Sequence, residues 1–403
     1  MEPSHLRRSI GLPLLTLYGL GTILGAGIYV LIGEVVALAG PRAPSAFLLA
    51  AVLAGVTAFS FAELGSRVPK SAGEAAYAQA AFNRNWLAAT VGWAVVAVGT
   101  VSAATMVRGF VGYLDVFVAL PSAVVIIACI SLLAAIASWG IGESLTAAAA
   151  ITVLEILGLV FVCAIAADSF GQVGSAWRSM LPSLDSAALV GVVSGAFIAF
   201  YAFIGFEDIV NIAEEVKQPR RNLPRAIVIA LVTSTTLYVL VAVVAVFAVP
   251  QDLLAGNEAP LAVIAESRGY APGIIAAISL FAVVNGALIQ IIMASRVLYG
   301  LASDGLAPAA FARIHARTQT PVRGTLAVAG MMLVLSLFLS LGGLARITSF
   351  IALGIFTVVN VSLWRLKRNS TADAEFEVPA AVPIAGALLC VTMIGYEGIR
   401  IIL

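Results

Sequence analysis

Residues 19–30, "GLGTILGAGIYV", set Gly19, Gly21, Gly25 and Gly27 into a run that is otherwise apolar. Two acidic features also lie in apolar surroundings: Glu155, in "ITVLEILGL", and Glu207-Asp208, directly after Gly205 in "GAFIAFYAFIGFEDIV". Glycine tolerates φ > 0 and lets a ligand come close to the backbone, because no Cβ intervenes. A helix opened at Gly25-Ala26-Gly27 would strand N–H and C=O groups, at several kcal/mol each inside a membrane. A small zwitterion supplies both missing partners. A second half-helix starting near Gly27 turns its free N–H groups and positive dipole end toward a carboxylate, while carbonyls ending the first half accept from an ammonium. The apolar span around 188–212, the sixth in the chain, offers the complement, with carbonyls released around Tyr201 to Ile204 and with Phe200, Tyr201 and Phe203 large enough to cover a bound side chain.

Two other readings of the glycines compete. A dinucleotide-binding loop needs G-x-G-x-x-G after a strand, and Gly19-x-Gly21-x-x-x-Gly25 has neither the spacing nor the strand. Helix packing is the plainer alternative, since Gly21-x-x-x-Gly25 is a small-xxx-small face that lets two backbones approach. Both packing and a break stay open on this segment alone.

The elements that must position these groups follow from composition. Hydrophobic residues make up 61% of the 403 and charged residues 11%, against about 45–50% and about 25% in soluble domains. The sequence therefore predicts an integral membrane protein with one transmembrane domain and no nucleic-acid partner, in which the first apolar stretch is a retained helix rather than a cleaved signal. Spans of about 20 apolar residues are expected near 10–38, 43–66, 86–120, 122–142, 145–167, 188–212, 226–249, 272–301, 324–341, 344–364 and 379–399, with Pro219 and Pro224 separating helices 6 and 7. Most Lys and Arg, among them Arg7, Arg8, Lys217, Arg220, Arg221, Arg225, Arg313 and Arg317, fall in loops on one side. By the positive-inside rule that side, with the N-terminus, is cytoplasmic, and a multi-pass protein of the cell membrane is expected. Cys129, Cys163 and Cys390 each sit in apolar runs as small hydrophobes, and His5 and His315 cannot assemble a metal cluster.

Helices 1 and 6 are both interrupted by glycine, five helices apart, which points to an inverted-repeat transporter with its site near the midplane. Repeat one would cover about 10–167, repeat two about 188–364, and an extra helix about 379–399.

"GLGTILGAGIYVLIG", "AELGSRVPKSAGEAAY" (62–77), "FYAFIGFEDIVNIAEEVKQPRRNLPRAI" (200–227) and "NGALIQIIMASRVLYGLASDGLAP" (285–308) together resemble the amino acid–polyamine–organocation superfamily of amino acid permeases, in its cationic-amino-acid-transporter-like branch. The resemblance implies an all-α LeuT-type five-plus-five inverted repeat with discontinuous helices 1 and 6, and secondary transport of amino acids. It implies that the Ile23 carbonyl takes the substrate amine and that the amides of Gly25, Ala26 and Gly27 take its carboxylate. Carbonyls of Tyr201, Ala202 and Ile204 complete the amine site, Phe203 lines it, and Tyr201 stands at an aromatic gate. Glu207 matches an acidic position on helix 6. Family members commonly have twelve helices, where eleven spans are expected here. On helix 5, several proton-coupled relatives place a lysine where this chain has Glu155, so the charge type is reversed.

Glu155 is read as a proton site linked to substrate occupancy, with Arg296 as an alternative partner that would make it structural. Arg108 and Asp115, seven apart on helix 3, read as a structural pair, and Glu63 and Glu74 as architecture. Asn285 and Gln290 are neutral groups that bind a neighbouring helix or face the pocket. No cofactor is expected, and a proton rather than sodium is the expected coupling ion. With no carboxylate placed at the side-chain end of the pocket, the leading expectation is proton-coupled symport of neutral L-amino acids. Exchange, a cationic amino acid or polyamine permease, a membrane-embedded enzyme and a sensor are the alternatives. Neither histidine lies mid-span to serve an enzyme as base.

Overall fold

A computed structural model of the chain describes residues 8–25, 27–69, 73–140, 145–182, 185–369 and 375–402. Its regular elements are helices, beside one isolated bridge between Ile10 and Val216. The first half comprises α1 (Leu12–Leu24), α2 (Gly27–Ala39), α3 (Ala43–Arg67), α4 (Gly73–Phe82), α5 (Asn85–Asp115), α6 (Ser122–Trp139), α7 (Leu145–Ile165) and α8 (Ser169–Met180). There follow α9 (Ser186–Tyr201), α10 (Asp208–Asn211), α11 (Pro219–Ala248), α12 (Gln251–Leu254), α13 (Pro260–Ser267), α14 (Pro272–Ser303), α15 (Val322–Phe338), α16 (Leu341–Asn369) and α17 (Ala381–Ile402).

Eight runs among the described residues are long and apolar enough to cross a membrane, counting Leu12–Arg67 as one run that contains α1 to α3. Ser186–Tyr201 and Val322–Phe338 are shorter apolar helices. The expected apolar segments coincide with helices, and three differences are informative. The helix expected over 188–212 stops at Tyr201 and resumes only for the four residues of α10. Helix α11 begins at Pro219, not near 226: Pro219 occupies the first turn, where its missing N–H costs nothing, and the helix continues through Pro224. The loop expected after α3 contains α4, a helix too short to span.

Two interrupted helices organise the interior. Helices α1 and α2 have 13 residues each, about 20 Å at 1.5 Å per residue, so neither crosses a bilayer core alone. Helix α1 packs against α7 and α11, α9 against α2 and α3, and the long α14 lies along α5.

A candidate binding site at two helix breaks

Helix α1 ends when Gly25, at φ −17° and ψ −102°, leaves the helical region, and α2 starts at Gly27. Ala26, assigned by sequence to the carboxylate site, lies outside the described residues. On the other side, α9 loosens into successive i→i+3 bonds: Ala202 N–H to Ala199 C=O, Phe203 to Phe200, and Ile204 to Tyr201, at 3.0 to 3.1 Å. Gly205 then takes φ +128°, a conformation open to glycine, before α10 begins at Asp208.

The two breaks touch. Thr22 Oγ1 lies 2.9 Å from the Gly205 carbonyl and 3.0 Å from the Gly19 carbonyl of its own helix, and its single hydrogen serves one of them at a time. A Cβ on Gly205 would strike the Thr22 carbonyl and lie 3.0 Å from Ile23 N, and one on Gly27 would strike the Ala202 backbone. Gly19 and Gly21 do something else: a Cβ on Gly19 would run into Ile209, and one on Gly21 into Thr152 Oγ1 of α7. The close approach expected along Gly21-x-x-x-Gly25 is made at Gly21 and not at Gly25. Gly19 and Gly21 let helices approach, whereas Gly25 and Gly27 flank the opening.

Several groups assigned to a guest already have partners. The Gly25 N–H is held by the Gly21 carbonyl at 3.2 Å, closing the last turn of α1, and the Tyr201 carbonyl accepts from Ile204. Ile23 and Ala202 carbonyls both face Tyr238 Oη of α11, at 2.6 and 2.8 Å. A hydroxyl has one hydrogen, so it saturates one carbonyl and leaves the other under-satisfied. The carbonyls of Phe203 and Ile204 accept no hydrogen bond from the described residues. The Phe203 ring packs edge-on against Tyr238 with centroids 5.1 Å apart, and the Tyr201 hydroxyl is tied to α5 through the Ser102 carbonyl at 3.1 Å. Sequence reasoning missed Tyr238 and Thr22. A tyrosine hydroxyl in the apolar run "STTLYVLVAV" was the available signal, because a buried phenol finds a partner.

Glu155 is fully buried on α7, and neither carboxyl oxygen has a partner among the described residues. No ion pair among the described residues joins it to Arg296, whose side chain lines a cavity without Glu155 in its wall. Around Glu155, Tyr29 Oη donates to its backbone carbonyl at 2.5 Å, and the Tyr113 hydroxyl donates to the Tyr29 carbonyl. Glu207 turns back so that Oε2 accepts from Gly205 N at 2.8 Å, inside the second break. Asp208 contacts Asn211 and, at 3.4 Å, Gln290 of α14, which places Gln290 at the helix 6 break. Glu74 is 4% exposed, and burial, with Asp208 as a further carboxylate, pushes its carboxyl up to about 7. No ion pair among the described residues joins Glu74, Glu155, Glu207 or Asp208 to a cation.

Other charges serve as architecture. Glu63 is clasped by Arg67 and Lys367, both at 2.7 Å, and accepts from Val378 N. Arg108 pairs with Glu258 at 2.6 Å rather than with Asp115, because the loop before α13 lies directly against α5 at Gly112. A cavity of about 790 Å³ opens on the face that carries Ser9, with Tyr18, Glu74, Asn211, Arg296 and Asp304 in its wall. On the opposite face, Arg108–Glu258 and Arg268–Asp168, at 2.6 and 2.7 Å, tie helices to the loops.

Two helices broken side by side, in a chain of apolar helices, match a family model described as "Amino acid permease" over residues 10–396. The chain belongs to the amino acid permease family. It is a multi-pass membrane protein, and the family and its named relatives are transporters rather than enzymes. The permease is 32% identical to the vacuolar cationic amino acid transporter 4 of Arabidopsis thaliana, over 91% of its own length and 64% of the relative's. It is 28% identical to the branched-chain amino acid permease of Bacillus subtilis, over 96% of its length and 88% of that protein. A methylthioribose transporter of the same bacterium is also 28% identical, over 93% and 85%. The permease thus spans under two thirds of the cationic relative and most of the bacterial ones.

Proposed function

We propose that this permease is a secondary transporter that moves amino acids across the cell membrane by alternating access, with its N-terminus cytoplasmic. The observation that carries the reading is the meeting of the two breaks, with Thr22 against Gly205 and Gly27 against Ala202. In this reading the first-turn N–H groups of α2 receive the substrate carboxylate, since an unpaired helix N-terminus favours an anion. The substrate ammonium takes the Ile23 and Ala202 carbonyls, which Tyr238 holds in its absence. Ammonium donates three hydrogens where the phenol donates one. The guest therefore satisfies acceptors that the protein alone leaves wanting. The five-plus-five repeat, with halves over about 10–167 and 188–364, is the architecture we infer, and the cavity beside Glu74 and Arg296 would be its cytoplasmic vestibule.

Protons are the coupling ion in this reading, with Glu155 and Glu207 as the sites. An unpaired carboxyl far from water favours its neutral form over an uncompensated charge, and no ion pair among the described residues joins Glu155 to a cation. For the substrate, the aromatic and aliphatic surface of Tyr201, Phe203 and Ile204 favours neutral L-amino acids. Glu74, Glu207 and Asp208, which have no ion pair among the described residues, favour a second reading, a cationic side chain. Purified permease in proteoliposomes separates the two. Proton-gradient-driven uptake of leucine or valine, inhibited by neutral but not by basic amino acids, supports the first, whereas uptake of arginine or lysine supports the second. Failure of any amino acid to accumulate or exchange would sink the transport reading itself.

A further inference from the structure

On the face that carries Ser9, a second, open groove of about 530 Å³ shares no lining residue with the cavity beside Glu74 and Arg296. Arg8, Arg220 and Arg221 line it, with Glu375 as the carboxylate among the lining residues. The arginines come from two distant parts of the chain, and backbone pairing brings them together. Ser9 and Ile10 N–H groups donate to the Glu215 carbonyl at 3.0 and 3.1 Å, and Lys217 N donates to Ile10 O at 2.8 Å. The pairing is specific, so Arg8 does not reach this place by chance of a loose terminus. None of the three guanidinium groups has a hydrogen-bond or ion-pair partner among the described residues.

A basic loop beside a membrane serves as a topology marker wherever its charges are spread. Here the charges converge on one concavity. Like charges held together in this way repel one another, and an anion removes the repulsion. The planar guanidinium fork suits phosphate oxygens, two at a time. The groove sits where α11, a 30-residue helix, begins, which by length is the level of the lipid headgroups. Anionic headgroups concentrate at that depth and attract basic clusters.

We propose that the groove formed by Arg8, Arg220 and Arg221 is a binding site for a phosphate-bearing anion, supplied by an anionic phospholipid headgroup of the adjoining leaflet. The bound headgroup ties the segment leading into α1 to the start of α11. The inference is independent of what the permease carries.

The test uses the full chain, purified in detergent and monodisperse on gel filtration, with unfolding temperature as the readout. The probes are short-chain phosphatidylglycerol, short-chain phosphatidylcholine and inorganic phosphate. The expected result is a saturable upward shift with phosphatidylglycerol that phosphatidylcholine does not give and that the R8Q/R220Q/R221Q variant loses. If phosphate alone produces the same shift, again lost in that variant, the anion site stands with free phosphate as its source. An R313Q/R317Q variant removes exposed charge elsewhere on this face and keeps the wild-type response. The proposal is overturned if the wild type responds to neither anion, if the triple variant responds as the wild type does, or if R313Q/R317Q loses the response equally. Should the triple variant not fold, R8Q and R220Q singly are each expected to raise the half-saturating phosphatidylglycerol concentration several-fold, and an unchanged value in both overturns the site.

Discussion

The Tyr238 hydroxyl lies 2.6 Å from the Ile23 carbonyl, the acceptor that ends the first half of a broken helix. The phenol belongs to a different helix and also reaches Ala202, so it holds both breaks from one side. Removing it in Tyr238→Phe leaves a buried carbonyl without a donor, a loss of about 1–3 kcal/mol. The ligand-free unfolding temperature should fall. If the substrate amine replaces this hydroxyl, the stabilisation that a transported amino acid adds should grow in the variant. An unfolding temperature equal to wild type would show that the hydroxyl is not holding the breaks.

Gly205 carries two demands at once, a φ of +128° and a backbone approach to Thr22 that leaves no room for a Cβ. Gly205→Ala should destabilise by about 1–3 kcal/mol from strain alone, and separating the breaks should abolish uptake. Gly171→Ala is the matched control, because a Cβ there meets nothing within 4 Å. Equal uptake and equal unfolding temperature in the two variants would sink the claim that the contact between breaks is required.

How far the sequence carried depended on the range of the physics involved. Helix α3, expected over 43–66, runs from Ala43 to Arg67, since a long apolar run is a local signal. The break at Gly25 was legible as one of the two readings that four glycines in a span left open. The division of labour among those glycines was not. Gly19 faces Ile209 and Gly21 faces Thr152, contacts between residues 131 to 190 positions apart that no local pattern encodes. For the same reason Arg108 was matched with Asp115 on its own helix, when its partner is Glu258 on another element. The carbonyls around Tyr201 were expected to be free, yet a tightened i→i+3 turn satisfied Tyr201 and a remote phenol reached Ala202.

Among the described residues Glu155 has no partner for either carboxyl oxygen, and it is fully buried. Glutamine fits the same space without ionising, so Glu155→Gln should fold. If the carboxyl carries the coupled proton, the variant should retain exchange of amino acid across the membrane and lose at least about tenfold in accumulation driven by a pH gradient, equivalent to about 1.4 kcal/mol of coupling. Counterflow and gradient-driven uptake, measured on the same vesicles, separate these outcomes. A pH profile identical to wild type in both assays would remove Glu155 from the coupling step.

Glu74 gives a prediction with a defined pH window. Its carboxyl is raised from an ordinary 4.5 to about 7, chiefly by burial and further by Asp208. Between these values the folded state holds a proton that the unfolded chain has released. Stability is therefore highest below pH 4.5 as far as this group is concerned, and it declines as pH rises toward 7. The full effect of the shift is about 3 kcal/mol at most. Glu74→Gln keeps the shape and removes the titration, so its unfolding temperature should vary less than that of wild type across this window, with the gap widest at its alkaline end. Parallel curves for the two proteins would mean that Glu74 keeps an ordinary carboxylate pKa in the folded chain.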